Sequence, residues 1–430
     1  GLAFLAHSLG EKVFVSEQKT IPENVKALFT QNNIAYEEGH SQQVFEDTRE
    51  ILISSGIPPQ SEILREAQAR GFTLTGELDY VLPHIRTRNL VCVTGSNGKS
   101  TVTSLIGHIL NNAGLKAGTG GNLGTSSAKF TQEDFDAVVL ELSSFQLARA
   151  TKNLRAKVAI ITNLAPDHID WHGSYEAYVE AKSRVISLRD PEGWGIIQDR
   201  DFDTLNPSGK IITLSWTSSP SHDTTGRIFM DTDKAALTLN GETITLFNYS
   251  DTTLIGTHNL ENVAMSLCAA HLLGVTGDVK SLLEGFRPLH HRCEHAGTVD
   301  GVQYIDDSKG TNVAATITAM TSIPGRKVII LGGQGKGEDY APLAEAVKRE
   351  CDSAVLLGEE AGKIQAALEA VGYENIHRVS TMDEAVSLSR RLSSPGMVVL
   401  LSPACTSWDM YPSYKARGEH FCRLVSEMRS

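Results

Sequence analysis

A glycine-rich turn between a predicted strand and a predicted helix carries the strongest chemical signal in the chain. Residues 90–94 are apolar, residues 94–101 read Thr-Gly-Ser-Asn-Gly-Lys-Ser-Thr, and residues 102–110 form an apolar run typical of a helix. Glycines let backbone amides approach phosphates, and a helix N-terminus adds partial positive charge. Lys99 can offset phosphate charge and Ser100 can bind Mg2+, so the segment predicts a nucleotide site. Its Gly95 to Gly98 spacing is shorter than in the usual phosphate loop.

Two further side chains stand where a nucleotide-bound Mg2+ needs ligands. Glu141 ends the apolar run 137–140, and His168 follows the predicted strand 157–162 after a short loop. Ligands of this kind gather at the carboxyl ends of parallel strands. Taken alone, Glu141 also fits a helix N-cap or an exposed position, and His168 also fits a loop histidine without a role.

Lys182 is the residue whose ordinary chemistry conflicts with its predicted place. The predicted helix 175–182 carries it on a face that could point toward the phosphate loop. Local sequence alone favours a lysine in solvent. Because an ammonium beside Mg2+ is repelled, a role at the site requires a phosphate partner or conversion of the amine to an anionic carbamate.

Strands and helices that must position these groups alternate along the whole chain, which is typical of α/β proteins. Predicted helices cover residues 2–8, 23–32, 61–70 and 259–273, and a more polar, strand-rich stretch covers 211–253. The predicted strands are 12–16, 50–54, 90–94, 137–142, 157–162, 303–306, 327–331, 353–357, 376–379 and 397–401.

These alternations predict an α/β protein of three domains. We expect a Rossmann-like N-terminal domain at residues 1–86, a central P-loop ATPase-like α/β domain at 87–288 and a Rossmann-like C-terminal domain at 289–430. Arg287 and Pro288 are the expected hinge. An earlier strand of the first domain is expected to precede Gly1.

Composition narrows the class of protein. The 430 residues are 41% hydrophobic and 21% charged, as in a globular protein. The net charge of −12 disfavours nucleic acid and anionic membranes as partners, and no apolar run approaches the roughly 18–20 residues that span a bilayer. The six cysteines form no Cys-x-x-Cys pair, so we expect reduced thiols in a cytoplasmic protein. A monomer is the default expectation.

Several spaced motifs together resemble those of the Mur ligases, and the resemblance covers essentially the whole chain. Within that family, the motifs at 141–147 and 401–407 are similar to those of the enzymes that add D-glutamate to UDP-N-acetylmuramoyl-L-alanine. The short phosphate loop is that family's form. The other matching segments are Asp167-His168, His258-Asn259 with Asn262, His291-Arg292, residues 307–312 and residues 331–336.

The resemblance implies an ATP-dependent amide ligase with two Mg2+ sites, one held by Ser100 and Glu141 and one by His168 and carbamylated Lys182. Lys99, His168, Lys182 and Arg292 are the implied catalytic residues, and catalysis is expected to need domain closure. The implied ATP-binding residues are Gly95, Asn97, Gly98, Lys99, Ser100, Thr101, Asn259, Asn262, Arg292 and Asp307. Those for D-glutamate are Lys309, Thr311, Lys336, Ser407 and Tyr414. Those for the UDP-muramoyl substrate are Ser16, Gly56, Asn122, Ser143 and Gln146.

Two alternatives stay open at this point. A sister amide ligase would add another amino acid to a muramoyl peptide, or glutamate to folate. A GTPase-like switch or a non-catalytic nucleotide-binding protein would explain the phosphate loop but not Lys182 or the motifs after residue 290.

Overall fold

The computed structural model describes residues 1–217, 221–254, 256–287 and 290–428. The chain divides into two compact units. The first contains Gly1–Leu164, Glu176–Asp251 and Val263–Glu284, and the second contains Ala165–Tyr175, Thr252–Asn262 and Gly285–Ser430. Pro288, at the predicted hinge and at the end of the predicted central domain, lies outside the described residues, as does Leu289.

The N-terminal part of the first unit contains two small parallel sheets. In one, β1 (Phe14–Glu17) pairs with β2 (Ala35–Glu38); in the other, β3 (Glu50–Ile53) pairs with β4 (Thr73–Gly76). The sequence predicted β1 and β3 but missed their partners. β2 reads Ala-Tyr-Glu-Glu and has no buried residue, so it lacks the apolar signal that marks a strand.

A nine-stranded sheet forms the centre of the first unit, in the order β13-β12-β11-β10-β9-β8-β5-β7-β6. β5 pairs in parallel with both β7 and β8, which places the ends of these three strands at one edge. β12 pairs antiparallel with both β11 and β13, and the other strand pairs described in this sheet are parallel. The strands are β5 (Leu90–Thr94), β6 (Ala117–Gly121), β7 (Ala137–Glu141), β8 (Val158–Ile161), β9 (Trp194–Gln198), β10 (Lys210–Ser215), β11 (Gly226–Met230), β12 (Lys234–Leu239) and β13 (Glu242–Asn248).

The second unit is built on a six-stranded sheet in the order β14-β15-β19-β16-β17-β18. The sequence missed its one antiparallel strand, β14, which pairs with β15. The Asp300-Gly301 turn between them, with both residues at positive φ, is a hairpin signal that could have revealed it. The strands are β14 (Glu294–Val299), β15 (Val302–Asp306), β16 (Lys327–Leu331), β17 (Ser353–Leu356), β18 (Ile376–Arg378) and β19 (Val398–Leu401).

Helices connect the parallel strands, as the α/β prediction requires. Helices α1 to α6 are Leu2–Ser8, Glu23–Gln31, Glu62–Ala69, Glu77–Val81, Lys99–Asn112 and Ser144–Ala148. Helices α7 to α11 are Ile169–His172, Tyr175–Ser187, Phe202–Leu205, Thr257–Leu272 and Val279–Leu283. Helices α12 to α16 are Val313–Ser322, Ala341–Glu350, Ala361–Ala370, Met382–Leu392 and Tyr414–Glu427. Short 3₁₀ helices lie at Gln42–Phe45, Leu82–His84, Ser127–Thr131, Asp199–Asp201 and Tyr249–Asp251.

The predicted α/β class is confirmed, and the buried strands Leu90–Thr94 and Lys327–Leu331 match the prediction residue for residue. All six cysteines are free thiols, as predicted. Across the described ranges, the structure contains no helix with both the length and the apolar character needed to cross a membrane.

Candidate active site

The phosphate loop lies between β5 and α5, at the carboxyl end of β5, whose neighbours in the sheet are β7 and β8. Gly95 has a φ of +141° and Gly98 a φ of +82°, conformations that residues with a side chain rarely adopt. A Cβ on Gly95 would lie 2.0 Å from Thr162 Oγ1, so this glycine is also required for space. Lys99 Nζ donates to the carbonyls of Gly95, at 2.9 Å, and Ser96, at 2.8 Å. The loop therefore folds around the ammonium group of Lys99.

Asn163, which follows β8, braces this loop and was not singled out from the sequence. Its carbonyl accepts from Ser96 N at 2.9 Å, and its side chain accepts from Asn97 N and donates to Asn97 O, both at 3.0 Å. The backbone of Asn97, a predicted ATP contact, is thus engaged by Asn163. Its position after a strand adjacent to β5 is the signal that could have identified it.

Lys182 is buried beside the same loop. The residue is only 2% exposed, and its Nζ donates to Gly95 O at 2.7 Å and lies 3.4 Å from Thr94 Oγ1. Nζ also lies 4.6 Å from the ring centroid of Tyr178, whose hydroxyl is 2.9 Å from Ser96 Oγ. The alternative of a lysine in solvent is therefore wrong. Helix α8 directs Lys182 at the phosphate loop.

Glu141 is the last residue of β7 and pairs with Val93 of β5, the strand that leads into the phosphate loop. Glu141 is 2% exposed and Ser100, in the loop's helix, is 1% exposed. Asn122 Nδ2 donates to Glu141 Oε1 at 3.0 Å, so this predicted contact for the muramoyl substrate holds the carboxylate. Carboxylate and hydroxyl oxygens are ligands that Mg2+ prefers, and burial of the carboxylate favours a cation beside it. The residues fit a Mg2+ site.

The other predicted contacts for the UDP-muramoyl substrate lie in the first unit. Ser143 N-caps α6 through a capping box with Gln146, whose Nε2 also donates to Glu77 Oε2 at 3.1 Å. Ser16 Oγ donates to Glu37 Oε1 at 2.6 Å. A Cβ on Gly56 would meet no atom within 4 Å, so the loop there is open.

In the second unit, the Asp167 carboxylate contacts the side chains of Asn312 and Lys336, which belong to two separate sequence motifs. Asp167 is 7% exposed; its Oδ1 lies 3.4 Å from Lys336 Nζ and its Oδ2 lies 3.4 Å from Asn312 Nδ2. His168 has a φ of +53°, and its Nε2 lies 3.6 Å from Asp167 Oδ2. The sequence had singled out His168 and Lys336 but gave Asp167 no role.

Three of the five residues predicted to bind D-glutamate lie in two nearby segments. Lys309 Nζ is 5.5 Å from the ring centroid of Tyr414, and Lys309 O accepts from Thr311 N at 2.9 Å. Ser407 is 2% exposed, and its carbonyl accepts from Tyr411 N at 2.7 Å. Ammonium and hydroxyl groups such as those of Lys309 and Ser407 are donors that suit a dicarboxylate.

The predicted ATP residues of the second unit lie among buried polar groups. Burial raises the pKa of the Asp307 carboxyl to about 7, while the Ser402 hydrogen bond, at 2.7 Å, and the charge of Arg292 act in the opposite direction. Burial, assisted by Arg292, lowers the pKa of His258 to about 4, so this imidazole is neutral near pH 7. Asn262 Nδ2 donates to Asn259 Oδ1 at 3.3 Å.

His291 belongs to the His291-Arg292 motif, but the sequence predicted no role for it. Its Nδ1 lies 2.7 Å from Asp306 Oδ2, a hydrogen bond that raises the pKa of His291 despite burial. Its carbonyl accepts from Lys309 N at 3.1 Å. The turn that carries Arg292 is thereby fixed to β15 and to the segment of Lys309.

The comparisons with known proteins match this architecture. Three family models match: the MurD N-terminal domain at residues 2–63, the Mur ligase middle domain at 93–270, and the Mur ligase glutamate ligase domain at 291–405. A relative from Pelotomaculum thermopropionicum, named UDP-N-acetylmuramoylalanine–D-glutamate ligase, is 36% identical and covers 88% of this chain and 84% of its own. The chain belongs to the Mur ligase family. A Koribacter versatilis relative with the same name is 34% identical to this Mur ligase over 97% of the chain and 93% of its own.

Solved structures agree on the fold of this Mur ligase. UDP-N-acetylmuramate-alanine ligase MurC from Thermotoga maritima matches with a TM-score of 0.61 and 18% identity, covering 99% of this chain and 96% of its own. MurF ligase from the same organism, in complex with ADP, matches with a TM-score of 0.59 and 16% identity over 97% of each chain. The resemblance to this family inferred from the sequence motifs is confirmed.

Proposed function

We propose that this Mur ligase joins D-glutamate to UDP-N-acetylmuramoyl-L-alanine, with ATP as the phosphoryl donor, in the synthesis of peptidoglycan precursors. The near full-length similarity to relatives that carry that enzyme's name is the observation that carries the proposal. The phosphate loop between β5 and α5 supports the use of ATP. We propose further that the chain acts as a cytoplasmic monomer, without a nucleic-acid or membrane partner.

Amide formation requires a better leaving group than the oxygen of a carboxylate. In the proposed reaction, the carboxylate of the L-alanyl group attacks the γ-phosphorus of ATP and forms an acyl phosphate, and ADP leaves. The D-glutamate amine then attacks the acyl carbon, and phosphate leaves. Because a carboxylate and a triphosphate repel each other, Lys99 and Arg292 are proposed to offset the charge in the transition state.

Two Mg2+ ions would complete this charge balance. Ser100 and Glu141 are proposed to hold one, and His168 with a carbamylated Lys182 the other. When bound, the ions neutralise phosphate oxygens as charge moves between them. His168 is proposed as a ligand first, since an imidazole bound to a metal is a poor base.

The remaining residues are proposed to bind the three substrates. Lys309 and Lys336 would meet the two carboxylates of D-glutamate, with Thr311, Ser407 and Tyr414 around them. The proposed ATP contacts beyond Lys99 and Ser100 are Gly95, Asn97, Gly98, Thr101, Asn259, Asn262, Arg292 and Asp307. Those for the UDP-muramoyl substrate are Ser16, Gly56, Asn122, Ser143 and Gln146.

Phosphate release in the presence of ATP, Mg2+ and UDP-N-acetylmuramoyl-L-alanine tests the proposal. D-glutamate should stimulate release, whereas L-glutamate, L-alanine and meso-diaminopimelate should not. Stimulation by one of these others, or by L-glutamate with a folate, would identify a sister ligase. Nucleotide turnover without any amino acid, with GTP preferred, would identify a switch protein.

Substitutions in the proposed amino-acid pocket should raise the KM for D-glutamate far more than the KM for ATP. Lys336→Ala and Ser407→Ala are each expected to raise the KM for D-glutamate by about tenfold to a hundredfold, since each removes a donor to a charged group. The KM for ATP should change little. Lys363→Ala, which removes a surface lysine paired with Glu360, is the control. A change in the KM for ATP alone would show that this pocket has been assigned wrongly.

A further inference from the structure

Arg149 is a half-buried arginine with most of its hydrogen-bonding capacity unused. It directly follows α6, and its Nη2 donates to the carbonyl oxygen of Ile57. Its Nε is buried and has no hydrogen-bond partner among the described residues. Burial lowers the pKa of Arg149, and Arg149 forms no ion pair with the described residues. A guanidinium that is partly desolvated without an anion is unfavourable, so an anionic ligand at this position would stabilise it.

The backbone around Arg149 is fixed on three sides. A Cβ on Gly76 would lie 2.9 Å from Arg149 O, so the absence of a side chain there lets the two segments touch. Arg184, from α8, donates to the carbonyl of Ala148 at 2.5 Å. After Arg149, Thr151 N donates to the buried Asp79 carboxylate at 3.0 Å. The guanidinium is therefore presented from a rigid support, as a preorganised binding residue should be.

The loop that Arg149 contacts is also the one proposed to meet the nucleotide sugar. Ile57 follows Gly56, where an added Cβ would meet no atom within 4 Å. All five residues proposed for the UDP-muramoyl substrate are neutral, yet its diphosphate carries two negative charges. None of these five residues therefore offers a positive charge to the diphosphate. Arginine is suited to that role, because its planar group can donate two parallel hydrogen bonds to phosphate oxygens.

We propose that Arg149 binds the diphosphate of the UDP-sugar substrate. The guanidinium uses an Nη2 N–H to hold the carbonyl of Ile57, and its other Nη N–H groups meet the phosphate oxygens. The inference rests on the proposed function, because that function supplies the nucleotide-sugar substrate. Arg149 would then favour ligands that contain the diphosphate, such as UDP, over uridine.

Arg149→Gln is the variant that tests this role, and steady-state kinetics on the full chain are the first measurement. The KM for UDP-N-acetylmuramoyl-L-alanine should rise by roughly tenfold to a hundredfold, the effect of losing a hydrogen bond to a charged group. The KM values for ATP and D-glutamate should stay within about twofold of the wild-type values. Arg155→Gln is the matched control, because Arg155 also donates to a backbone carbonyl, that of Leu82, but is exposed.

Calorimetric binding of UDP and of uridine separates anion recognition from structural support. The wild type should bind UDP much more tightly than uridine, Arg149→Gln should lose most of that preference, and Arg149→Lys should keep an intermediate one. Equal weakening of UDP and uridine, or an unchanged KM for the UDP-sugar, would overturn the inference. If Arg149→Gln does not fold, an unchanged preference for UDP in Arg149→Lys would overturn it. Binding does not depend on the amino acid used, so failure of the D-glutamate reaction would refute the proposed function separately.

Discussion

Lys182→Ala is expected to yield a folded protein whose ligase activity falls by about a hundredfold, the upper end of the loss seen when a group supporting a metal site is removed. An ammonium buried at this position would repel Mg2+, whereas a carbamate formed with CO2 supplies an anionic oxygen ligand of the hard type that Mg2+ prefers. The side chain is 2% exposed and lies against the carbonyl of Gly95, so it is placed to act on the phosphate loop.

Chemical rescue distinguishes the possible roles of Lys182. Acetate, which can occupy the vacated space, should restore part of the activity of Lys182→Ala, and small amines should not. Rescue by amines instead would indicate a phosphate-binding ammonium, and full activity without rescue would show that Lys182 has no role. Lys157→Ala is a suitable control, because Lys157 lies next to the start of β8 and bonds only to Asn89 among the contacts described for its side chain.

Lys99→Ala is expected to lower kcat by at least about a hundredfold, the scale observed when one preorganised donor to a developing charge is removed. The lost interaction acts on the phosphoryl group in transit and not on an apolar core. The variant should therefore unfold within a few degrees of the wild-type temperature. The rate of phosphate release is measured at saturating substrate concentrations, and thermal unfolding is followed in parallel.

Lys116→Ala is the matched control for Lys99→Ala, because Lys116 is a surface lysine whose Nζ pairs with Glu133 at 2.7 Å. It should keep full activity. Near wild-type turnover in Lys99→Ala would contradict the assignment of the phosphate loop. Loss of activity accompanied by unfolding would show instead that the two carbonyl contacts of Lys99 maintain the loop.

The sequence was most informative where a local pattern defines a local structure. The phosphate loop could be predicted because its glycines, its lysine and its flanking apolar runs lie within twenty-one consecutive residues, 90–110. Strands buried on both faces, such as Lys327–Leu331, are continuous apolar runs and were equally clear. The exposed strand Ala35–Glu38 was missed, because its polar residues form a strand only through pairing with β1.

Side-chain environments set by distant segments could not be read from the sequence. The burial of Lys182 depends on contact with a loop that is more than eighty residues away in the chain. Asp167 meets Asn312 and Lys336 only because a short segment after β8 packs with the second unit. The environment of Arg149 could not be predicted either, since it depends on contacts with the distant residues Gly76 and Ile57.

The most direct test of the central claim follows one turnover with UDP-N-acetylmuramoyl-L-alanine labelled with ¹⁸O in its carboxylate. Mass spectrometry should find a product that contains D-glutamate and one ¹⁸O atom in the released phosphate, since the acyl phosphate transfers a carboxylate oxygen to phosphorus. A product that contains another amino acid, or phosphate released without label and without any amide product, would contradict the account.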